Sequence, residues 1–207
     1  MSGERVLALI HNARNRLAAV IGSVSAREAA ELYIASSQLA SALAILRLED
    51  SECGIRREEA DLEVFLSDLG EEAGRLAPPG VSTALEWDFS ACPVRSWTFD
   101  TQLVRLVLID ALMNGWRHAR SRVCLEAACR DGELHFAIED DGPGFPPALL
   151  AASGDAGTRP PAPQGAGLGV KLAERVARLH SIGRREGRVM LSNCGGGGGG
   201  RFSLILP

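Results

Sequence analysis

The sequence predicts an α+β protein in which an N-terminal antiparallel two-helix hairpin, a four-helix bundle in the dimer, precedes an α/β sandwich. Three observations carry this. From Val6 to Ile21 the residues Val6, Ile10, Ala13, Leu17 and Val20 recur at alternating spacings of four and three, the seam of a helix that packs on helices. Beyond about residue 57 the pattern changes to helices alternating with short strands. No apolar run reaches the ~18 residues that a membrane-spanning helix needs.

The first helix covers roughly residues 4–22, and Gly22-Ser23-Val24-Ser25 ends it with small and cap-type residues. A second helix follows with Leu32, Leu39, Leu43 and Leu46 on one face. So short a link makes the pair antiparallel, and an isolated two-helix hairpin buries too little surface to stand alone, so it is expected to pair with a second copy. The polar stretch Glu49–Arg57 reads as a linker, giving a division into 1–50, 51–59 and 60–207. The third part reads as a helix over about 60–76, a Pro78-Pro79-Gly80 turn, strands at 81–89 and 95–98, a helix at 100–118, and strands at 121–129 and 133–140. A loop from Gly142 to Gly165, a helix at 167–180 and strands at 186–192 and 201–206 complete it. Antiparallel hairpins with helices on one side make the sandwich. Arg130-Asp131-Gly132 is a hairpin turn, and the run Gly195–Gly200 reads as a slack connection.

With 207 residues, 46% hydrophobic and 23% charged, the chain is an ordinary folded protein and neither disordered nor fibrous. A net charge of −4 provides no basic footprint, so no nucleic acid is expected as a partner. The first residues lack a signal-peptide core, which points to a cytoplasmic protein without a membrane partner. Five cysteines without Cys-x-x-Cys spacing suit neither a disulfide framework nor a zinc site, and reduced thiols are expected.

Three stretches carry chemistry. On the long helix, Asp110, Asn114 and Arg117 stand at i, i+4 and i+7 and share a face. An amide oxygen at Asn114 is a hard ligand suited to Mg²⁺, and Arg117 lies one turn on, where it could meet phosphate. At a strand end, Asp140 can accept a hydrogen bond from an exocyclic amine, while Gly142 and Gly144 let backbone approach a flat ring. Gly165, Gly167, Leu168 and Gly169 lead straight into a helix, whose free N–H groups and dipole favour phosphate. No strand precedes that segment and no Gly-Lys-Ser/Thr occurs in it, so it is neither a Rossmann fingerprint nor a P-loop.

In this order the three boxes resemble the ATP-binding domain of the gyrase/histidine-kinase/MutL superfamily, over about Ala60 to Pro207. The resemblance implies ATP and Mg²⁺ as cofactors, with Asn114 on the metal, Arg117 on phosphate, Asp140 on adenine and loop 145–164 as a lid. The lid is short, bears Pro160, Pro161 and Pro163, and lacks the family's phenylalanine box. Asp110 stands where many kinases have Asn; in the gyrase and MutL branches an acid there activates water, so a hydrolytic role is one expectation.

On the first helix, His11-Asn12-Ala13-Arg14-Asn15-Arg16-Leu17 places His11 beside the apolar seam. Residues 4–48 resemble the phosphotransfer hairpin of histidine kinases, most of all the citrate-sensor kinases and the sporulation phosphotransferase. That resemblance implies His11 as phosphoryl acceptor, Asn12 as the residue that orients it and Asn15 as a support for the reverse reaction. Asn12 replaces the usual acid: it can orient the ring but cannot take its proton. The expected function is a sensor-less cytoplasmic histidine kinase or phosphotransferase of a two-component phosphorelay, a homodimer through the hairpin, with a response-regulator receiver domain as partner. A non-catalytic adaptor that docks a receiver and senses nucleotide is the alternative, with an anti-sigma serine kinase behind it. His118, His135 and His180 read as structural.

Overall fold

The computed structural model describes residues 26–49, 54–78, 80–90, 95–152, 167–194 and 198–207, so the helix expected over 4–22 lies outside the described residues. The chain divides into two compact units, Met1–Ile55 and Arg56–Pro207. In the first, helix α1 spans Ala26–Glu49. Among its residues whose side chains are described, Ser36, Ala40, Ser41, Ala44 and Leu48 are buried. Four of them follow one i, i+4 ridge of mostly small side chains. Of the expected leucine face, Leu39 and Leu46 are 59% and 63% exposed in the single chain and Leu43 is half-buried.

The second unit runs β1 (Glu58–Asp61), α2 (Leu62–Leu76), β2 (Ser82–Asp88), β3 (Ser96–Phe99), α3 (Thr101–His118), β4 (Arg122–Arg130), β5 (Glu133–Asp140), α4 (Pro147–Ala152), α5 (Leu168–Leu179), β6 (Arg188–Asn193) and β7 (Gly200–Leu206). The architecture is α+β, with one correction to the expected run of hairpins. The main sheet is mixed, in the order β2-β4-β5-β7-β6, and β2 lies parallel to β4. A parallel pair needs a crossover, and α3 supplies one. β3 instead joins β1 in a separate antiparallel pair, Ala60 facing Trp97. Glu58-Glu59-Ala60-Asp61 has no apolar alternation to announce a strand, which is why it read as linker and helix start. The short helix α4 falls inside the expected loop, with Pro147 at its first position, where proline lacks no needed bond.

β4 and β5 close on a two-residue turn at Asp131 (φ 54°) and Gly132 (φ 74°), the double left-handed geometry of a type I′ hairpin. That turn sets the register Leu125 to Ile138 and Ala127 to Phe136. With a period of two, Val123, Leu125 and Ala127 then share a buried face with Phe136 and Ile138. Phe99 bridges sheet and helices, its ring 5.1 Å from Phe65 and 6.3 Å from Phe136, both near edge-to-face. Of the cysteines, Cys124 and Cys194 are free, whereas Cys129 is disulfide-bonded, contrary to the expectation of reduced thiols throughout. No local spacing signals that bond.

The start of α3 is tied to the end of α5. Asp100 caps α3, its Oδ1 accepting from the Leu103 amide at 3.0 Å. The Asp100 amide donates to His180 Nε2 at 2.9 Å, and His180 Nδ1 lies 2.7 Å from the Val176 carbonyl. That pattern requires the neutral ring with its proton on Nδ1. His180 is 2% exposed, structural as expected but in the core and not at the surface, and burial pushes its pKa down from the ordinary 6.5, against the raising effect of the Val176 carbonyl and of Asp100. Because the folded pKa is the lower one, the unfolded chain takes up this proton first as the pH falls. The contribution of His180 to stability is therefore complete above about pH 6.5 and declines below it. Melting curves from about pH 8 to 5 should show a steeper acid decline in the wild type than in His180→Gln; parallel declines would contradict this assignment.

Candidate functional site

The α3 face bearing Asp110, Asn114 and Arg117 lines a cavity of about 420 Å³. The Asn114 amide nitrogen donates to Asp110 Oδ2 at 3.3 Å. With Nδ2 so engaged, the Asn114 oxygen remains the acceptor of that side chain.

Asp140 and Asp141 are adjacent carboxylates with different work. Asp140 lines the cavity, and its Oδ1 accepts from the Gly142 amide at 2.8 Å. Asp141 accepts from the backbone amides of Arg120, Ser121 and Arg122 and from the Ser121 hydroxyl at 2.6 Å. These bonds hold its carboxyl far below the usual carboxylate range and tie the end of β5 to the α3–β4 turn. Asp141 therefore fixes the frame in which Asp140 faces the cavity.

The glycines make close approaches possible. A Cβ on Gly142 would stand 2.2 Å from the His118 carbonyl oxygen, and one on Gly169 would stand 1.8 Å from Asp110 Oδ2. The start of α5 thus runs directly against α3. Gly144 has φ +79°, and the next residue, Phe145, is held by Asn193 through two backbone bonds of 2.7 and 3.0 Å. The glycine run before β7 is not slack where it is described. Gly199, at φ +124°, packs so closely that a Cβ would lie 2.3 Å from the Asp140 carbonyl oxygen. A side chain there would displace the strand end that carries Asp140.

The cavity brings together Asp110, Asn114, Arg117, Asp140, Gly144, Gly167 and Gly169. Gly142 and Leu168 stand outside its lining: Gly142 packs behind Asp140 against α3, and the Leu168 side chain is 39% exposed. Gly165, His11, Asn12 and Asn15 lie outside the described residues. His118, expected to be structural only, lines the cavity, as do Phe145, Leu149, Leu191 and Phe202. Its position beside Arg117 on an exposed helix end was the available signal. Asn193 had none, because its partner is 48 residues away in sequence.

Chemically, the cavity offers an apolar wall, a carboxylate acceptor, an amide oxygen beside an arginine, and a helix start whose first N–H groups have no intrahelical acceptor. Residues 99–207 match the family described as histidine kinase-, DNA gyrase B- and HSP90-like ATPases. The chain belongs to this family. The chain is 30% identical over 112 residues to the signal transduction histidine-protein kinase AfsQ2 of Streptomyces coelicolor (strain ATCC BAA-471 / A3(2) / M145), covering 52% of this chain. The chain spans only 20% of the length of that relative. Among solved structures, the histidine kinase AdeS of Acinetobacter baumannii shares the fold with a TM-score of 0.59 at 15% identity, over 87% of this chain and 82% of that one. Full-length ShkA in complex with AMPPNP matches with a TM-score of 0.60 at 20% identity, over 100% of this chain and 46% of that one. Among the described residues, no helix of the ATPase or of its companion unit is long and apolar enough to cross a membrane.

Proposed function

We propose that the protein is a cytoplasmic histidine kinase or phosphotransferase of a two-component relay. ATP·Mg²⁺ bound in the α3/β5/α5 cavity supplies a γ-phosphoryl group to His11, which passes it to an aspartate of a response-regulator receiver. The observation that supports this best is the convergence of Asn114, Asp140 and the start of α5 on one cavity, inside the segment that matches the ATPase family.

Each residue has a chemical reason for its part. Asp140 accepts from the adenine amine with the oxygen not used by Gly142. Arg117 meets phosphate, and the backbone at Gly165, Gly167, Leu168 and Gly169 offers amide donors. The single amide oxygen of Asn114, next to the Asp110 carboxylate, fits Mg²⁺, which takes few protein ligands and fills its shell with phosphate and water. When bound, the ion neutralises charge that develops on the phosphates. His11 attacks as a neutral imidazole: a P–N bond forms, the bond to the bridging β–γ oxygen breaks, ADP leaves and the ring proton passes to solvent. Asn12 orients the ring and Asn15 serves the reverse reaction. In the second transfer the P–N bond breaks and a receiver carboxylate forms the acyl phosphate.

In this reading residues 1–50 form the dimerisation and phosphotransfer hairpin, 51–59 the linker and 60–207 the ATP-binding domain. Leu39 and Leu46, exposed seven residues apart on α1, support a hairpin that pairs with a second copy. Phosphoryl transfer from γ-labelled ATP tests the reading: the label should appear on the protein, stable to alkali and labile to acid. Label on serine, or none in a protein that binds ATP, would refute it.

A further inference from the structure

The second unit begins at Arg56, and its first two residues are bonded to both helices that line the cavity. The Arg56 amide donates to Asp100 Oδ2 at 2.8 Å, and Asp100 is the cap of α3. Arg57 Nη2 donates to the Leu179 carbonyl at 2.8 Å and to the Ser181 carbonyl at 3.1 Å, at the C-terminal end of α5. Between these contacts the buried His180 joins Asp100 to Val176. A guanidinium suits this place for two reasons. The last carbonyls of a helix have no intrahelical donors, and a cation there meets the negative end of the helix dipole.

α5 is a rigid lever. It has 12 residues, so its C-terminal end lies about 18 Å from its glycine-rich start at the cavity. One face is packed through Leu172, Ala173, Val176 and Ala177. Its start runs against Asp110, where a Cβ on Gly169 has no room. Motion at the Arg57 end is therefore transmitted to Gly167–Gly169 as tilt or slide of a stiff rod, since packed elements shift as units.

We propose that Arg57 is a positioning residue for the nucleotide site, clasping the C-terminal end of α5 to the leading segment of the second unit and so setting where the start of α5 stands in the cavity. The clasp lies two residues inside the boundary between the two units. A pull on the connection reaches both cavity helices, α3 through Asp100 and α5 through Arg57. The proposal rests on the reading of the cavity as an ATP site.

The test uses the full chain, titrated with ATP·Mg²⁺. Arg57→Ala should weaken binding about fivefold, and Arg57→Lys, which keeps the cation on a shorter side chain, should weaken it about twofold. An affinity unchanged in Arg57→Ala while the melting temperature falls would overturn the proposal and leave Arg57 as a staple of the fold. If the wild type itself binds no ATP, the functional reading fails, and hydrogen exchange in the nucleotide-free protein still decides the clasp. In Arg57→Ala the amides of Lys171, Leu172 and Ala173 should then exchange faster along with those of the last turn of α5. Faster exchange in the last turn only would overturn it.

Discussion

Replacing Asp140 by asparagine should reduce ATP binding by about a hundredfold or more, equivalent to about 3 kcal/mol, in a calorimetric titration of a protein that remains folded. The reason is donor and acceptor arithmetic. One carboxylate oxygen of Asp140 already takes the Gly142 amide at 2.8 Å, and the other is left for an exocyclic amine. Asparagine has one oxygen and one NH₂. Turned either way, it sets a donor against a donor, at Gly142 or at the base. Asp141→Asn is the internal control, since Asp141 serves the α3–β4 turn and should affect melting more than affinity. Undiminished binding in Asp140→Asn would move base recognition to another part of the cavity.

Gly142→Ala should be the more damaging of two glycine changes, although its clash is nominally the milder. A Cβ at Gly142 would lie 2.2 Å from the His118 carbonyl oxygen and 2.8 Å from its carbon, and backbone cannot swing aside. The end of α3 and the Asp140 loop must separate, at a cost of about 1–3 kcal/mol in stability. Separation also removes the Gly142 amide from Asp140, so ATP binding should be lost with it. A Cβ at Gly169 would lie 1.8 Å from Asp110 Oδ2, the end of a side chain that can rotate at the cost of its bond from Asn114, whereas the His118 carbonyl is backbone. Gly169→Ala should therefore melt close to the wild type, with its defect confined to the site. Thermal melts with parallel ATP titrations check both, and a Gly142→Ala protein as stable as Gly169→Ala would contradict the account.

The order of elements was legible because its signals are local. Period-two burial in β4 and β5, the Asp131-Gly132 turn and the glycines at the start of α5 each sit within a few residues. Parallel pairing of β2 with β4 was not legible, since each strand carries the same alternation whichever neighbour it finds. β1 escaped because its pairing with β3 compensates for a sequence with almost nothing to bury. On α1 the leucine pattern pointed to one face, while the small residues Ala40 and Ala44 mark another that is buried in the single chain. At the cavity, Asp110, Asn114, Arg117 and Asp140 stand out in the sequence by chemistry and spacing, and the fold brings all of them to its lining. Asn193, Gly199 and the division of labour between Asp140 and Asp141 did not, because each depends on contacts between segments far apart in sequence.

Phosphoryl transfer to His11 is tested most directly by incubating the full chain with γ-³²P-labelled ATP and Mg²⁺ and locating the label. An acid-labile, alkali-stable phosphoryl group is expected on His11, absent from His11→Gln although that variant still binds ATP, and chased onto an aspartate when a receiver domain is added. Label that persists in His11→Gln, or ATP bound tightly with no label transferred, would contradict it.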